Sequence, residues 1–417
     1  MKVQAVGKFR VATVALVAAA LLSVGCGGGS SSKRSSSSAS TAAGVNTAQT
    51  MAPLPEARAS HTAILLRSGE IFVAGGLDVS GKPMTTTVIV SPTAVTNGPS
   101  MTTARTNHAA VLLNNGQILI SGGQSDSAGA DVLDSTELYD PLTDTISTGP
   151  TMAVARAGHA SLNYFQGSDE YVLVAGGVAA VNTAGPAQAP AALDSAEVYD
   201  VAQGTFTTLT ATLTEAQSGG RLARLDTGGL VLVGGSSATG AAMAQSFDTQ
   251  AQDFAPVANI AARAGAAVAS KGREVLVAGG ESQAGIEDST EVFDSLTGTF
   301  SSGTLLGEAR RDATATIAGS EIVLVGGRTV AGPSDKVERV QGSLSSATVK
   351  DHVALLEARY AHSSTALASD TIVVIGGFDS AGVPMATVEK VDLSASVAAT
   401  ATTTTATATP TTTTPSV

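Results

Sequence analysis

Cysteine occurs once in the 417 residues, at Cys26, so no disulfide can form within the chain and no cysteine cluster can hold a metal. Tryptophan is absent and aromatic residues make up only 3% of the chain. That leaves no ladder of rings on which bases could stack. Charged residues are scarce at 14%, and the net charge is -12. With that sign and no basic stripe, nucleic acid is not an expected partner. What the chain has in quantity is glycine, 45 residues, and apolar residues, 43%. This mixture suits many short strands joined by turns better than long helices with charged faces.

The two ends differ from the middle. Lys2, Lys8 and Arg10 stand in a first segment without acids, and Val11–Val24 is an apolar run broken only by Thr13 and Ser23. A bilayer span needs about 20 such residues, so the run fits the core of an export signal. It leads into LLSVGC, ending at Cys26. That stretch resembles the lipobox of bacterial lipoproteins, in which the cysteine is lipidated. It departs from the family at Ser23, where leucine is preferred, and Leu22 lies one position further back. The resemblance implies a signal peptide over 1–25 and lipidation of Cys26, with an outer-membrane or cell-surface location. The Gly/Ser-rich residues up to 44 read as a flexible tether, and 394–417, rich in Thr, Ala and Pro, as a disordered tail.

Between these ends the sequence repeats. Paired glycines recur at Gly75–Gly76, Gly122–Gly123, Gly176–Gly177, Gly234–Gly235, Gly279–Gly280, Gly326–Gly327 and Gly376–Gly377. Each pair closes a short apolar run such as EIFVAGG, QILISGG or EIVLVGG, which reads as a strand buried on both faces. Ahead of each pair comes RASH, RTNH, RAGH, QSGG, RAGA, RRDA or RYAH. After it comes DSTELYD, DSAEVYD, DSTEVFD or a weaker copy. A further strand carries Ile146, Phe206, Phe254 or Phe300. Four short strands per unit in seven units predict an all-β, seven-bladed β-propeller of four-stranded antiparallel blades over 45–393.

The Arg/His opening, the Gly–Gly strand end and the S-x-E-x-Y-D strand resemble kelch repeats. Kelch units usually carry Trp in the fourth strand; this chain uses Phe or Ile, and repeats one, four and six are degenerate. The last unit stops near Leu393 after its third strand, so Val45–Met51 is expected to complete that blade and seal the ring.

The repeat also decides how single residues are read. A glycine pair that recurs seven times with no helix after it is not a phosphate loop. It marks places where the backbone needs unusual angles or close approach. His61, His108, His159 and His362 share one repeat position, and three blades lack it, so a common metal is not expected. Asp78, Asp126 and Asp379 fit self-capped turns; a calcium site around Asp126, Asp131 and Asp134 lacks the full loop pattern. Arg105/Glu137, Arg156/Glu197, Arg263/Glu291, Arg310/Glu338 and Arg359/Glu389 occur together, and repeat four replaces both charges with Gln217 and Gln245. Arg58 has no acid in its own unit. The five couples are expected to meet within blades as buried ion pairs.

No catalytic residue, cofactor or metal is nominated. The expectation is a monomeric, non-enzymatic binding or scaffold module. Its ligand would be a protein or glycan, met through the long segments Val178–Leu193 and Gly342–Glu357. The kelch resemblance also brings in enzymes: copper-dependent galactose oxidases, which need a tyrosine cross-linked to a cysteine, and a sialic-acid mutarotase. The only cysteine here lies in the leader, so the oxidase chemistry is not expected. A mutarotase-like or epimerase-like activity would need an acid/base group near the axis.

Overall fold

In a computed structural model the chain is described over residues 48–127, 130–180, 191–237, 243–260, 263–351 and 353–394. Cys26, the tether, the tail beyond 394 and His352 lie outside the described residues.

Seven four-stranded antiparallel sheets form the propeller. In blade 1 the strands run Thr62–Leu65, Ile71–Ala74, Thr87–Val90 and Val95–Asn97, from the axis outward. Blades 2 to 6 repeat this order with innermost strands Ala109–Leu112, Ala160–Gln166, Arg221–Arg224, Ala267–Lys271 and Thr314–Ala318. Blade 7 takes Ser363–Ala368, Thr371–Ile375 and Val388–Asp392 from the end of the chain and Ala48–Thr50 from its beginning. Ala48 pairs with Val391 and Thr50 with Glu389, so an N-terminal strand supplies the fourth strand of the last blade and joins the two ends of the chain in one sheet.

The second strands are apolar on both faces because each blade is covered on both sides. Ile71–Ala74, Ile118–Ser121, Leu230–Val233 and Glu274–Ala278 are buried throughout. The core among the described residues divides into seven clusters, one at each junction between neighbouring blades. The junction of blades 7 and 1 is built like the rest, with Val373, Ile375 and Val388 against Ile71, Val73 and Val88. Cross-strand rings occupy the outer half of three blades: Tyr199/Phe206, Phe247/Phe254 and Phe293/Phe300, at 5.1, 4.9 and 5.1 Å between centroids. Phe206, Phe254 and Phe300 stand on the fourth strands, as the sequence led us to expect, each against a ring on the third strand.

One expected loop contains a strand. Within 342–357, Leu344–Ser346 is a short 3-10 turn whose buried Leu344 joins the core between blades 5 and 6, and Thr348–Asp351 is the outer strand of blade 6. Of the other segment, 181–190 lies outside the described residues.

Candidate functional site

The repeat motif builds a ring at one end of the axis. Both glycines of every pair have positive φ, from +55° to +107°. The second donates its N–H to the carbonyl at the arginine position of the next blade in all seven junctions, at 2.9 to 3.1 Å, including Gly377 to Arg58 across the closure. A methyl group on the first glycine would lie 2.3 to 2.6 Å from that same carbonyl in six junctions. Glycine is therefore fixed by the approach of one blade to the next.

The arginines sit behind this ring. Arg156 Nη1 donates to the carbonyls of Gly176 and Ser195 at 2.9 and 3.1 Å, and Nη2 meets Glu197 at 2.9 Å. Arg105–Glu137 and Arg263–Glu291 pair at 2.8 and 3.1 Å, and Arg310–Glu338 and Arg359–Glu389 are likewise in contact. Each pair lies within one blade. The carboxylates also cap loops: Glu197 accepts the N–H groups of Ala153 and Val154, and Glu137 those of Thr102 and Thr103. In blade 4, Gln245 keeps the cap by accepting from Thr214 N at 2.7 Å, while the buried Gln217 amide has no partner. Arg58 reaches Thr86 Oγ1 at 3.1 Å, and Thr86 in turn donates to Glu56. Burial lowers the Arg58 guanidinium to about 10, partly offset by Glu56, so it stays charged at neutral pH.

The histidines are held by neighbours rather than by one another. His61, His108, His159 and His362 each place Nε2 2.8 to 3.1 Å from a hydroxyl of the preceding blade: Ser363, Thr62, Ser121 and Thr314. Burial, and then the arginine of the same motif, lowers all four to about 3, so they are neutral imidazoles. Among the described residues no three His, Cys, Asp or Glu side chains converge as a metal requires. Asp126 Oδ1 accepts Ala130 N, Asp131 takes the Ser125 hydroxyl, and Asp78 and Asp379 cap their own turns.

Between arginine and histidine, the third motif position turns left-handed in every blade. Ser60, Asn107, Gly158, Gly219, Gly265, Asp312 and Ala361 all have φ between +51° and +70°. They face the axis, and backbone bonds link several in sequence: Ser60 N to Ala361 O at 3.0 Å, Gly158 N to Asn107 O and Asp312 N to Gly265 O at 2.8 Å. This turn rings a cavity of about 560 Å³, whose walls are mostly hydroxyls, small side chains and glycines.

Two residues break its symmetry. The position after the motif is Thr62, Ala109, Ala160, Ala267, Thr314 or Ser363 in six blades, and Arg221 in blade 4. The left-handed position is uncharged in six blades and is Asp312 in blade 6. Both line the cavity. Asp312 packs over Gly265, where a methyl group would come within 2.4 Å of Oδ1. Arg311 pairs with Asp312 and with Glu281, both at 3.3 Å. Crowding by the channel wall raises the Asp312 carboxyl, with the arginines opposing it, and lowers Arg221, with Asp312 opposing it; both shifts are moderated by water, since Arg221 is exposed and Asp312 half-buried. Beside them Tyr360 and Phe378 pack at 5.2 Å, with Arg328 5.3 Å from the Tyr360 ring. Neither Arg221 nor Asp312 stood out in the sequence, because repeats four and six read as degenerate copies. Comparing the seven copies position by position exposes both.

At the hairpin end of the innermost strands, polar groups satisfy one another instead. Arg224 donates to Asn163 Oδ1, Asn163 to Glu170 Oε1, and Glu170 Oε2 accepts Asn114 N, at 2.6, 2.6 and 2.7 Å. The end ringed by the left-handed turns is the better candidate for a ligand.

No family matches the chain, and no curated protein matches it. Among solved structures, it is similar to YjhT at 14% identity and a TM-score of 0.54, covering 72% of this chain and 99% of that one. It is similar also to a fungal alcohol oxidase in complex with copper, at 15% identity and a TM-score of 0.63, covering 83% of this chain and 76% of that one. At such identities the likeness is one of fold. It nonetheless overturns the expectation of a non-enzymatic module: an oxidase shares this framework, so a lack of catalytic signature in the repeats does not set the chain apart from enzymes. Copper itself does not fit the residues present. The buried histidines belong to four separate blades with Nε2 already engaged, and no ligand group forms among the described residues.

Proposed function

We propose that the axial cavity on the glycine-pair face is a carbohydrate site in an exported, kelch-type propeller lipidated at Cys26. One observation carries the reading: among the described residues of the channel wall, the charges that break its symmetry, Arg221 and Asp312, share one cavity with hydroxyls. Sugars present hydroxyls around a compact ring, and a pocket of this volume and polarity suits one. Surface anchoring rests on the signal-like leader and the lone cysteine, and the expected partners are a glycan and the membrane.

A second reading follows from Asp312. Burial raises the Asp312 carboxyl, with Arg311 and Arg221 opposing it, so it holds a proton more readily than a free carboxyl, in the sense a general acid requires. Such a group protonates a sugar's ring oxygen while water takes the proton of the anomeric hydroxyl; the bond from the anomeric carbon to the ring oxygen breaks, and reclosure gives the other anomer. Exchange spectroscopy on hexoses and uronic acids tests this: faster anomer exchange with the protein, abolished by Asp312→Asn, supports turnover. An unchanged rate leaves binding alone. Mass spectrometry of the mature N-terminus tests lipidation; an unmodified Cys26 refutes it.

A further inference from the structure

We infer that the ligand of the axial channel carries a carboxylate, which Arg221 holds, and that Asp312 limits the site to a single negative charge. This rests on the channel being the carbohydrate site. Among the described residues, the charges that act on Asp312 are three arginines, Arg221, Arg311 and Arg328, and one further acid, Glu281. Arg311 takes both acids, at 3.3 Å each, and Arg328 lies over Tyr360. The Arg221 guanidinium donates no hydrogen bond to a described residue; the residue is exposed and lines the cavity from the innermost strand of blade 4. The four histidines behind the wall are neutral and supply no compensating or competing charge. Three arginines against two acids leave one positive charge in excess there, and Arg221, which only Asp312 among the described residues attracts, is the arginine not held in an ion pair or over a ring. A guanidinium is a planar fork of donors that matches a carboxylate with two parallel bonds. A phosphate or sulfate of higher charge would meet Asp312 at short range, which costs affinity by like-charge repulsion.

The repeat explains why the cation is available. Every other blade carries Thr, Ala or Ser at the Arg221 position and has no charge there to hold an anion. In blade 4 the preceding residue is Gly220 rather than histidine, so no imidazole crowds the arginine's stem.

The test is titration calorimetry on the full-length protein with D-galacturonate and D-glucuronate, each against its parent hexose. Wild type is expected to bind a uronate at least about tenfold more tightly than its hexose. Arg221→Gln should erase that ratio, and Arg221→Lys should keep part of it, since the charge stays but the fork is lost. Asp312→Asn should raise uronate affinity several-fold, an effect that a merely structural change would not produce; thermal melting shows that each variant is folded. Equal affinity for acid and hexose, unmoved by Arg221→Gln, overturns the carboxylate inference while sparing the channel reading. Binding of none of the four sugars to wild type overturns both.

Discussion

Replacing Glu197 with Gln removes the charge from a fully buried pair while keeping the side chain's shape. Arg156 and Glu197 are both 0% exposed, so neither charge can turn to water. The substitution leaves Arg156 uncompensated, which costs about 3–5 kcal/mol. Part of the cap survives, because an amide oxygen still accepts from Ala153 or Val154, as Gln245 does from Thr214 in blade 4. Arg156→Gln alone strands the carboxylate instead, with a loss of similar size. The double variant rebuilds blade 4, where Gln217 and Gln245 stand in these places. Its cost is that of an unpartnered buried amide together with the lost bonds to Gly176 and Ser195, about 2–4 kcal/mol. Urea unfolding of the four proteins closes a double-mutant cycle, and a coupling energy of at least about 2 kcal/mol is expected. Additive losses would refute the claim that the two charges act as one unit.

Acid should act through the histidines. An unfolded histidine titrates near 6.5, while His61, His108, His159 and His362 lie at about 3 in the fold. The unfolded chain therefore takes up protons first as pH falls. Their stabilisation is complete above about pH 6.5 and is lost toward pH 3, by up to about 1.4 kcal/mol per histidine per pH unit. Urea midpoints across pH 7 to 4.5 should fall less steeply in His159→Gln than in wild type; parallel curves would count against neutral burial. Gly122→Ala should destabilise more than Gly116→Ala by calorimetric melting, by about 2 kcal/mol or more. Both have positive φ, but only Gly122 faces a carbonyl at 2.4 Å, whereas Gly116 faces open space. Gly265→Ala should displace Asp312 and change sugar affinity; an unaltered titration would show that Asp312 does not shape the site.

The architecture was legible because the repeat multiplies every signal. Seven apolar runs ending in paired glycine identify strands that no single run would distinguish from a buried helix. The closing strand was legible from the missing fourth strand after Leu393. The candidate site was not legible, for the same reason turned around. A repeat draws attention to what recurs: His61 and Gly122 recur because they meet the neighbouring blade, and Arg156 because it ties together the strands of its own blade. Arg221 and Asp312 occur once each, in copies that read as decayed. Their proximity depends on ring closure, which brings positions 91 residues apart in sequence to one mouth. The segment 342–357 reads as irregular in sequence, yet it includes the buried Leu344 and the strand Thr348–Asp351, the outer strand of blade 6.

The most direct measurement is a crystal structure of the protein grown with D-galacturonate. Sugar density is expected in the axial cavity, its carboxylate forked on Arg221 and its ring beside Asp312. Sugar bound at the hairpin face or among the outer strands, with the axial cavity free of it, would contradict the assignment of the site.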